Sequence, residues 1–132
     1  GLAVDTDRGL LVPTIFAADT MSLAKIAAAD KAAAAKARDA SLTPDEMSGG
    51  SFTVTNLGSL GIESFTPVIN PPQVAILGVC ATLIRVRAVG RVYAAMGLSL
   101  TFDHRAVDGA PAAKFLKALC TALENFGLLL AK

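Results

Sequence analysis

The chemistry of this chain is concentrated in residues 99–109, which read Ser-Leu-Thr-Phe-Asp-His-Arg-Ala-Val-Asp-Gly. His104 is the only histidine in the sequence, and imidazole takes up and releases a proton near neutral pH. It is surrounded by Asp103, Arg105 and Asp108. A lone histidine is more often structural than catalytic, but charge placed directly after an apolar strand is costly unless the groups pair or serve a site. The pattern therefore indicates proton transfer at His104.

Two long apolar runs precede this loop and must position it. Residues 74–88 and 92–102 are rich in Val, Ile and Leu, and the Val89-Gly90 break between them favours an antiparallel hairpin. A rigid scaffold commonly holds catalytic groups in loops at such strand ends. Beyond the loop, apolar residues recur at helical spacing over residues 112–126, and Gly127 is expected to end that helix.

The N-terminal part is predicted to start with a hairpin. Residues 2–4 and 10–15 are short aliphatic runs, separated by a polar turn with a glycine at residues 5–9. Pro13 lies inside the second run and suits an edge position, because it has no backbone N–H. Residues 51–57 are predicted to form a further strand, followed by an irregular crossing rich in glycine and proline.

Two helical segments are predicted between these strands. Ser22 can cap an alanine-rich helix that continues to about Asp39, and its thin apolar face places it on the surface of the core. Residues 43–46 read Thr-Pro-Asp-Glu, the capping pattern of a short helical turn. The order of elements predicts an α+β fold: a mainly antiparallel or mixed sheet with helices packed on one face.

Composition narrows the class of protein. The 132 residues are 53% hydrophobic and 17% charged, a balance typical of a globular domain rather than a disordered chain. The net charge is +1 without a basic cluster, which argues against nucleic-acid binding. No apolar run reaches the roughly 18 residues of a membrane span. Cys80 and Cys120 do not form a disulfide or metal-binding motif, and we expect both to be buried in a reducing compartment.

The Asp-His-Arg-x-x-Asp-Gly pattern at residues 103–109 resembles the active-site motif of the dihydrolipoamide acyltransferases, the core components of 2-oxoacid dehydrogenase complexes. Three further stretches are similar to blocks of that family, in the same order. They read Val-Asp-Thr-Asp-Arg-Gly-Leu at 4–10, Gly-Gly-Ser-Phe-Thr-Val-Thr-Asn-Leu-Gly at 49–58 and Phe-Thr-Pro-Val-Ile-Asn-Pro-Pro at 65–72. The resemblance therefore covers nearly the whole chain.

The resemblance implies roles for individual residues. His104 would be the general base that deprotonates the thiol of coenzyme A or of dihydrolipoamide, because the thiolate is the nucleophile. Thr55 holds the position of the family's hydroxyl residue and would stabilise the oxyanion, although a β-branched residue also suits a strand. Asp108 would cap the next helix, order the loop or hold the histidine. Arg105 is expected to make a structural ion pair. No cofactor-binding residue and no metal site is identified.

The family also implies a fold and an assembly. The fold resembles chloramphenicol acetyltransferase, and the working unit is a homotrimer that assembles into a larger core. Its site would lie between subunits, with His104 of one chain facing Thr55 of the next. Coenzyme A would be a substrate, the lipoyl group would be carried on a separate domain, and upstream domains would bind the decarboxylase and dihydrolipoamide dehydrogenase components. Since a complete catalytic domain is longer, residues 1–132 are expected to be its C-terminal portion and to expose apolar surface.

The expected function is transfer of an acetyl or related short acyl group between dihydrolipoamide and coenzyme A. One alternative is a catalytically inactive structural core subunit, which would not need a base at His104. Another is a chloramphenicol acetyltransferase, but that family has a second histidine where this chain has Asp103. Acyl specificity stays open, although the blocks are more similar to acetyl-transferring members. We expect a location in bacterial cytoplasm. The mitochondrial matrix is also a reducing compartment and fits the two cysteines equally well.

Overall fold

A computed structural model of the chain describes residues 1–130. The chain starts with an antiparallel hairpin of β1 (Val4–Thr6) and β2 (Gly9–Leu11). The predicted hairpin is confirmed, but its bounds were wrong because the turn is shorter than residues 5–9. Gly9 adopts a φ of +113°, a backbone conformation that glycine takes readily and other residues rarely. The Thr6 hydroxyl donates a hydrogen bond to the Gly9 carbonyl at 2.7 Å.

Pro13 does not occupy the strand edge that was predicted for it. The second strand ends at Leu11, and Pro13 lies beyond it with less than 2% of its surface exposed. Its carbonyl accepts a hydrogen bond from the Leu2 backbone N–H at 2.9 Å. Proline can take this buried position because only its carbonyl has to be satisfied there.

The predicted alanine-rich helix is confirmed as α1 (Leu23–Arg38). The Ser22 side chain caps it by accepting a hydrogen bond from the Lys25 backbone N–H at 3.3 Å. Ala37 is its one fully buried residue, whereas Leu23 is mostly exposed. The helix therefore lies on the surface, as its thin apolar face predicted.

The capping pattern at residues 43–46 also forms as predicted, around a 3₁₀ turn at Asp45–Met47. The Glu46 carboxylate accepts from the Thr43 backbone N–H at 2.9 Å, and the Thr43 hydroxyl accepts from the Glu46 N–H at 3.4 Å. Glu46 also pairs with Lys36 near the end of α1. These bonds, with Lys36 the largest cause, lower the pKa of Glu46 from 4.5 to about 2.

The lowered pKa of Glu46 predicts a pH dependence of stability. A carboxyl group whose pKa falls on folding stabilises the native state fully above the unfolded value of 4.5 and loses that contribution as the pH falls towards 2. Urea unfolding between pH 5 and 2, an interval set by these values, should therefore show a steeper loss of stability for wild type than for Glu46→Gln. Equal pH dependence in the two proteins would contradict the assignment.

The main sheet contains β3 (Thr53–Asn56), β4 (Ala75–Val86) and β5 (Val92–Phe102) in that order. β4 and β5 form the antiparallel hairpin that was predicted. β3 and β4 are parallel, because residues 57–74 return the chain to the end of the sheet where β3 began. The sheet is mixed and the chain also contains helices, which confirms the α+β class.

After β5 the chain forms α2 (Gly109–Glu124) and α3 (Phe126–Leu130). The prediction of one helix over residues 112–126, ended by Gly127, was wrong at both ends. Helix α2 starts directly after Asp108 and ends at Glu124, and the side-chain amide of its C-cap residue Asn125 donates to the Thr121 carbonyl at 2.8 Å. A polar side chain thus satisfies a terminal carbonyl, and Gly127 lies inside α3.

The core of the described chain is small. Besides Pro13, its buried residues include Val4, Ala37, Ile76, Leu77, Cys80, Ala81 and Ala112. The outer half of the β4–β5 hairpin instead exposes large apolar side chains, with Ile84 70% and Val86 67% exposed. The expected exposed apolar surface is therefore present. Cys80 is buried as predicted, but Cys120 is only half-buried.

Candidate active site at the end of strand β5

A tight turn at the end of β5 presents His104 to solvent. The Asp103 N–H donates to the Val74 carbonyl at 2.8 Å, which ties the turn to the start of β4. The Asp103 carbonyl in turn accepts from the N–H groups of Ala106 and Val107 at 2.9 and 3.0 Å. The side chain of His104 is 72% exposed at the tip of this turn, so reactants can reach it.

Asp108 approaches the imidazole from the start of α2. Its Oδ1 lies 3.5 Å from His104 Nδ1. Asp108 occupies the N-cap position of α2, but its side chain accepts no hydrogen bond from the first helical turn. The sequence left open whether Asp108 caps the helix, orders the loop or holds the histidine. Its carboxylate does not cap α2, but it does lie close to His104.

Arg105 makes the structural ion pair that was predicted for it, and its partner is Asp103, on the other side of His104. Arg105 Nη2 donates to Asp103 Oδ2 at 2.7 Å, and Arg105 Nε donates to Oδ1 at 3.0 Å. The side-chain hydrogen bonds from Arg105 hold the pKa of Asp103 at about 2, well below its ordinary value. Asp103 is therefore ionised at neutral pH and paired with Arg105. The Phe102 ring contributes an apolar neighbour, with its centroid 5.8 Å from that of His104.

Thr55 lies on β3, in one row with Gly78 and Ser99 across the sheet. Side chains in such a row point to the same face, and a Cβ on Gly78 would lie 2.8 Å from the Phe65 ring. An aromatic ring therefore covers Gly78 between Thr55 and Ser99. Within residues 1–130 no hydrogen bond engages the Thr55 hydroxyl, whereas the Thr53 hydroxyl donates to Gln73 at 2.6 Å.

Thr55 and His104 do not meet within one chain. Thr55 is two strands away from β5, and its row crosses β5 at Ser99, three residues before Phe102. From a strand spacing of about 4.8 Å and a rise of about 3.4 Å per residue, the Cα atoms of Thr55 and Phe102 are roughly 14 Å apart. His104 lies two residues farther on, so a joint site would need two chains.

A concave surface lined by hydroxyl groups was not predicted from the sequence. A cavity of about 490 Å³ lies beside the same sheet row, and its lining is formed by Ser64, Phe65, Thr66, Ser99, Leu100 and Thr101. The alternation of Ser99 and Thr101 on β5 is a sequence signal for one polar face. The approach of residues 64–66 could be read only from the fold.

Other kinds of site are not found in the described part of the chain. Residues 1–130 contain no group of three or more side chains able to hold a metal ion. None of the helices in this range combines the length and apolarity needed to cross a bilayer.

Known proteins with similar sequences are acetyltransferase components. The Bacillus subtilis dihydrolipoyllysine-residue acetyltransferase component of the acetoin cleaving system is 45% identical over 128 residues, covering 95% of this chain and 32% of that protein. The corresponding component of the pyruvate dehydrogenase complex of Mycobacterium tuberculosis is 47% identical, covering 95% of this chain and 24% of that protein. This chain thus spans a third or less of these relatives.

Solved structures agree with the sequence matches. Azotobacter vinelandii dihydrolipoamide acetyltransferase superposes with a TM-score of 0.91 at 43% identity, covering 98% of this chain and 55% of that one. That structure was used to study a serine, a histidine and an asparagine in catalysis, the last two four residues apart, the interval between His104 and Asp108. The cubic core of a pyruvate dehydrogenase complex superposes equally well, at 0.91 and 42% identity, with the same coverage of both chains.

The likeness to both sets of relatives rests on more than the histidine loop, since it extends from the N-terminal hairpin to α3. The family described as 2-oxoacid dehydrogenases acyltransferase (catalytic domain) matches residues 1–131, and the chain belongs to that family.

Proposed function

We propose that residues 1–132 are the C-terminal portion of a catalytic domain with a chloramphenicol-acetyltransferase-like fold, which transfers an acetyl or related short acyl group between dihydrolipoamide and coenzyme A. The observation that carries this proposal is the exposed His104, with Asp108 Oδ1 3.5 Å from its Nδ1. Its Nε2 is left free to accept a proton. The relatives named as dihydrolipoyllysine-residue acetyltransferases support the same chemistry.

The proposed reaction exchanges one thioester for another. His104 Nε2 takes the proton from the attacking thiol, and the resulting thiolate forms a bond to the carbonyl carbon of the thioester. The Thr55 hydroxyl donates a hydrogen bond to the oxygen that becomes negative. When this intermediate collapses, the carbon–sulfur bond to the first carrier breaks, and the departing sulfur receives the proton from the imidazolium. Asp108 keeps the ring orientated and stabilises its protonated form.

The separation of Thr55 and His104 supports a site shared by two chains. In a homotrimer, His104 of one chain would face Thr55 of its neighbour around a closed ring. The exposed apolar side chains of the β4–β5 hairpin, such as Ile84, are suited to burial in such an assembly. The likeness to a cubic core supports assembly of trimers into a larger particle.

The remaining components follow from this proposal. Coenzyme A is a substrate, and the lipoyl group arrives on a separate domain. The decarboxylase and dihydrolipoamide dehydrogenase components bind through domains outside this chain. The free thiols of Cys80 and Cys120 are consistent with a reducing compartment, for which we propose bacterial cytoplasm.

An acyl-transfer assay of the whole assembled protein tests the function. Acetyl-CoA, propionyl-CoA and isobutyryl-CoA are each supplied with dihydrolipoamide, and kcat/KM is measured for each. We expect the largest value with acetyl-CoA. A largest value with isobutyryl-CoA would overturn the acetyl assignment, and failure of all three donors would support the alternative of an inactive structural core subunit.

A further inference from the structure

The carboxylate of Asp103 gathers three N–H groups from a single residue. Arg105 Nε and Nη2 bind it as a fork, and the Arg105 backbone N–H donates to Oδ1 at 2.9 Å. A guanidinium fork has fixed planar geometry, so it restricts orientation as well as distance. Lysine could keep the charge at this position but not the fork.

These bonds close around the backbone of His104. Asp103 precedes the histidine and Arg105 follows it, so their pairing restricts the two peptide units that carry the imidazole. Asp103 is itself tied to Val74 through its N–H, and its carbonyl receives two N–H groups from the rest of the turn. The imidazole of His104 is therefore attached to a stretch of backbone that hydrogen bonds restrict both before and after it.

We propose that Asp103 and Arg105 are positioning residues for His104, a role that rests on the proposed function: their pairing sets the direction in which the imidazole leaves the turn. An isolated surface ion pair contributes little to stability, and the Arg105 side chain is 90% exposed. We therefore assign this pair a role in orienting His104 rather than in stabilising the fold. A displacement of a catalytic group by about 1 Å can cost about a hundredfold in rate.

An electrostatic role gives different expectations from a positioning role. The charged groups facing His104 are Asp103 and Arg105 from its own turn and Asp108 from the start of α2, while β5 contributes the uncharged Phe102 ring. Removing only the negative charge of Asp103 would favour the neutral imidazole, and removing only the positive charge of Arg105 would favour the protonated form. An electrostatic role therefore predicts opposite shifts in pH dependence, which cancel when both charges are removed.

The experiment compares Asp103→Asn, Arg105→Gln, the double variant and Arg105→Lys in the whole assembled protein. Steady-state acyl transfer gives kcat, KM and the pH dependence of kcat/KM, and a crystal or cryo-EM structure of each variant gives the position of the imidazole. If the pair positions His104, all four variants lower kcat by about tenfold to a hundredfold with little change in KM. The double variant does not recover, and the imidazole moves away from Asp108.

Glu46→Gln is the matched control, because Glu46, like Asp103, is a half-buried carboxylate with a pKa of about 2 held by a basic partner. Like the Asp103 and Arg105 variants, Glu46→Gln loses one ion pair, but it should change neither kcat nor the position of His104. Opposite pH shifts in the single variants with recovery in the double would overturn the proposal, as would an unmoved imidazole. If the wild-type protein transfers no acyl group, the proposed function fails, and the position of the ring alone then decides the inference.

Discussion

Replacing His104 with alanine is expected to lower kcat for acyl transfer by about 10²–10⁴-fold. The imidazole is the proposed base, whereas the neighbouring Asp103 carboxylate is paired with Arg105, which lowers its pKa to about 2 and makes it a weak base. Without the imidazole, the attacking thiol must ionise unaided. Steady-state kinetics with acetyl-CoA and dihydrolipoamide measure the effect.

The fold should tolerate this substitution. Because the His104 side chain is 72% exposed, its loss should change the free energy of unfolding by less than about 0.5 kcal/mol. A thermal unfolding scan of the assembled protein provides the check. If kcat of His104→Ala equals that of wild type while the protein stays folded, another group is the base and the proposed mechanism is wrong.

Replacing Thr55 with valine is expected to lower kcat by about 10²–10³-fold, the usual cost of removing one donor to an oxyanion. Valine keeps the branched shape that suits β3, so the change removes the hydroxyl group and little else. Thr55→Ser is the matched control, since it keeps the hydroxyl and should retain most of the activity. Comparable kcat values for Thr55→Val and Thr55→Ser would exclude the hydroxyl from catalysis.

Mixed assemblies test whether one site uses two chains. When His104→Ala and Thr55→Val chains are coexpressed in equal amounts, a site works only if its histidine comes from a Thr55→Val chain and its threonine from a His104→Ala chain. Each condition holds for half of the chains, so one half of one half, or about a quarter of wild-type activity, should return. If both residues acted within one chain, the mixture would be as inactive as its parents.

Features that depend on neighbours along the chain could be predicted before the fold was known. Ser22 caps α1 and Thr43 pairs with Glu46, because capping joins groups three residues apart. The β4–β5 hairpin was also predictable, since its strands are long and its turn is short. The same local pattern placed His104 just after a strand, between the two partners of the Asp103–Arg105 ion pair.

Element ends were less predictable where two local signals competed. Gly127 is a typical helix end, but Asn125 satisfies the Thr121 carbonyl first. The apolar neighbours of Pro13 predict a strand, but it lies beyond β2, where its carbonyl accepts a hydrogen bond from Leu2. In both cases a specific hydrogen bond outweighed the average preference of the residue type.

The way in which distant segments meet could be read only from the folded chain. The parallel pairing of β3 with β4 follows from the path of residues 57–74, and the packing of Phe65 on Gly78 joins residues that no periodicity connects. The strand order β3-β4-β5 separates Thr55 on β3 from β5, the strand that leads to His104, by the intervening β4. Pairing between remote segments depends on the whole core closing at once, so it is not encoded in any short stretch of sequence.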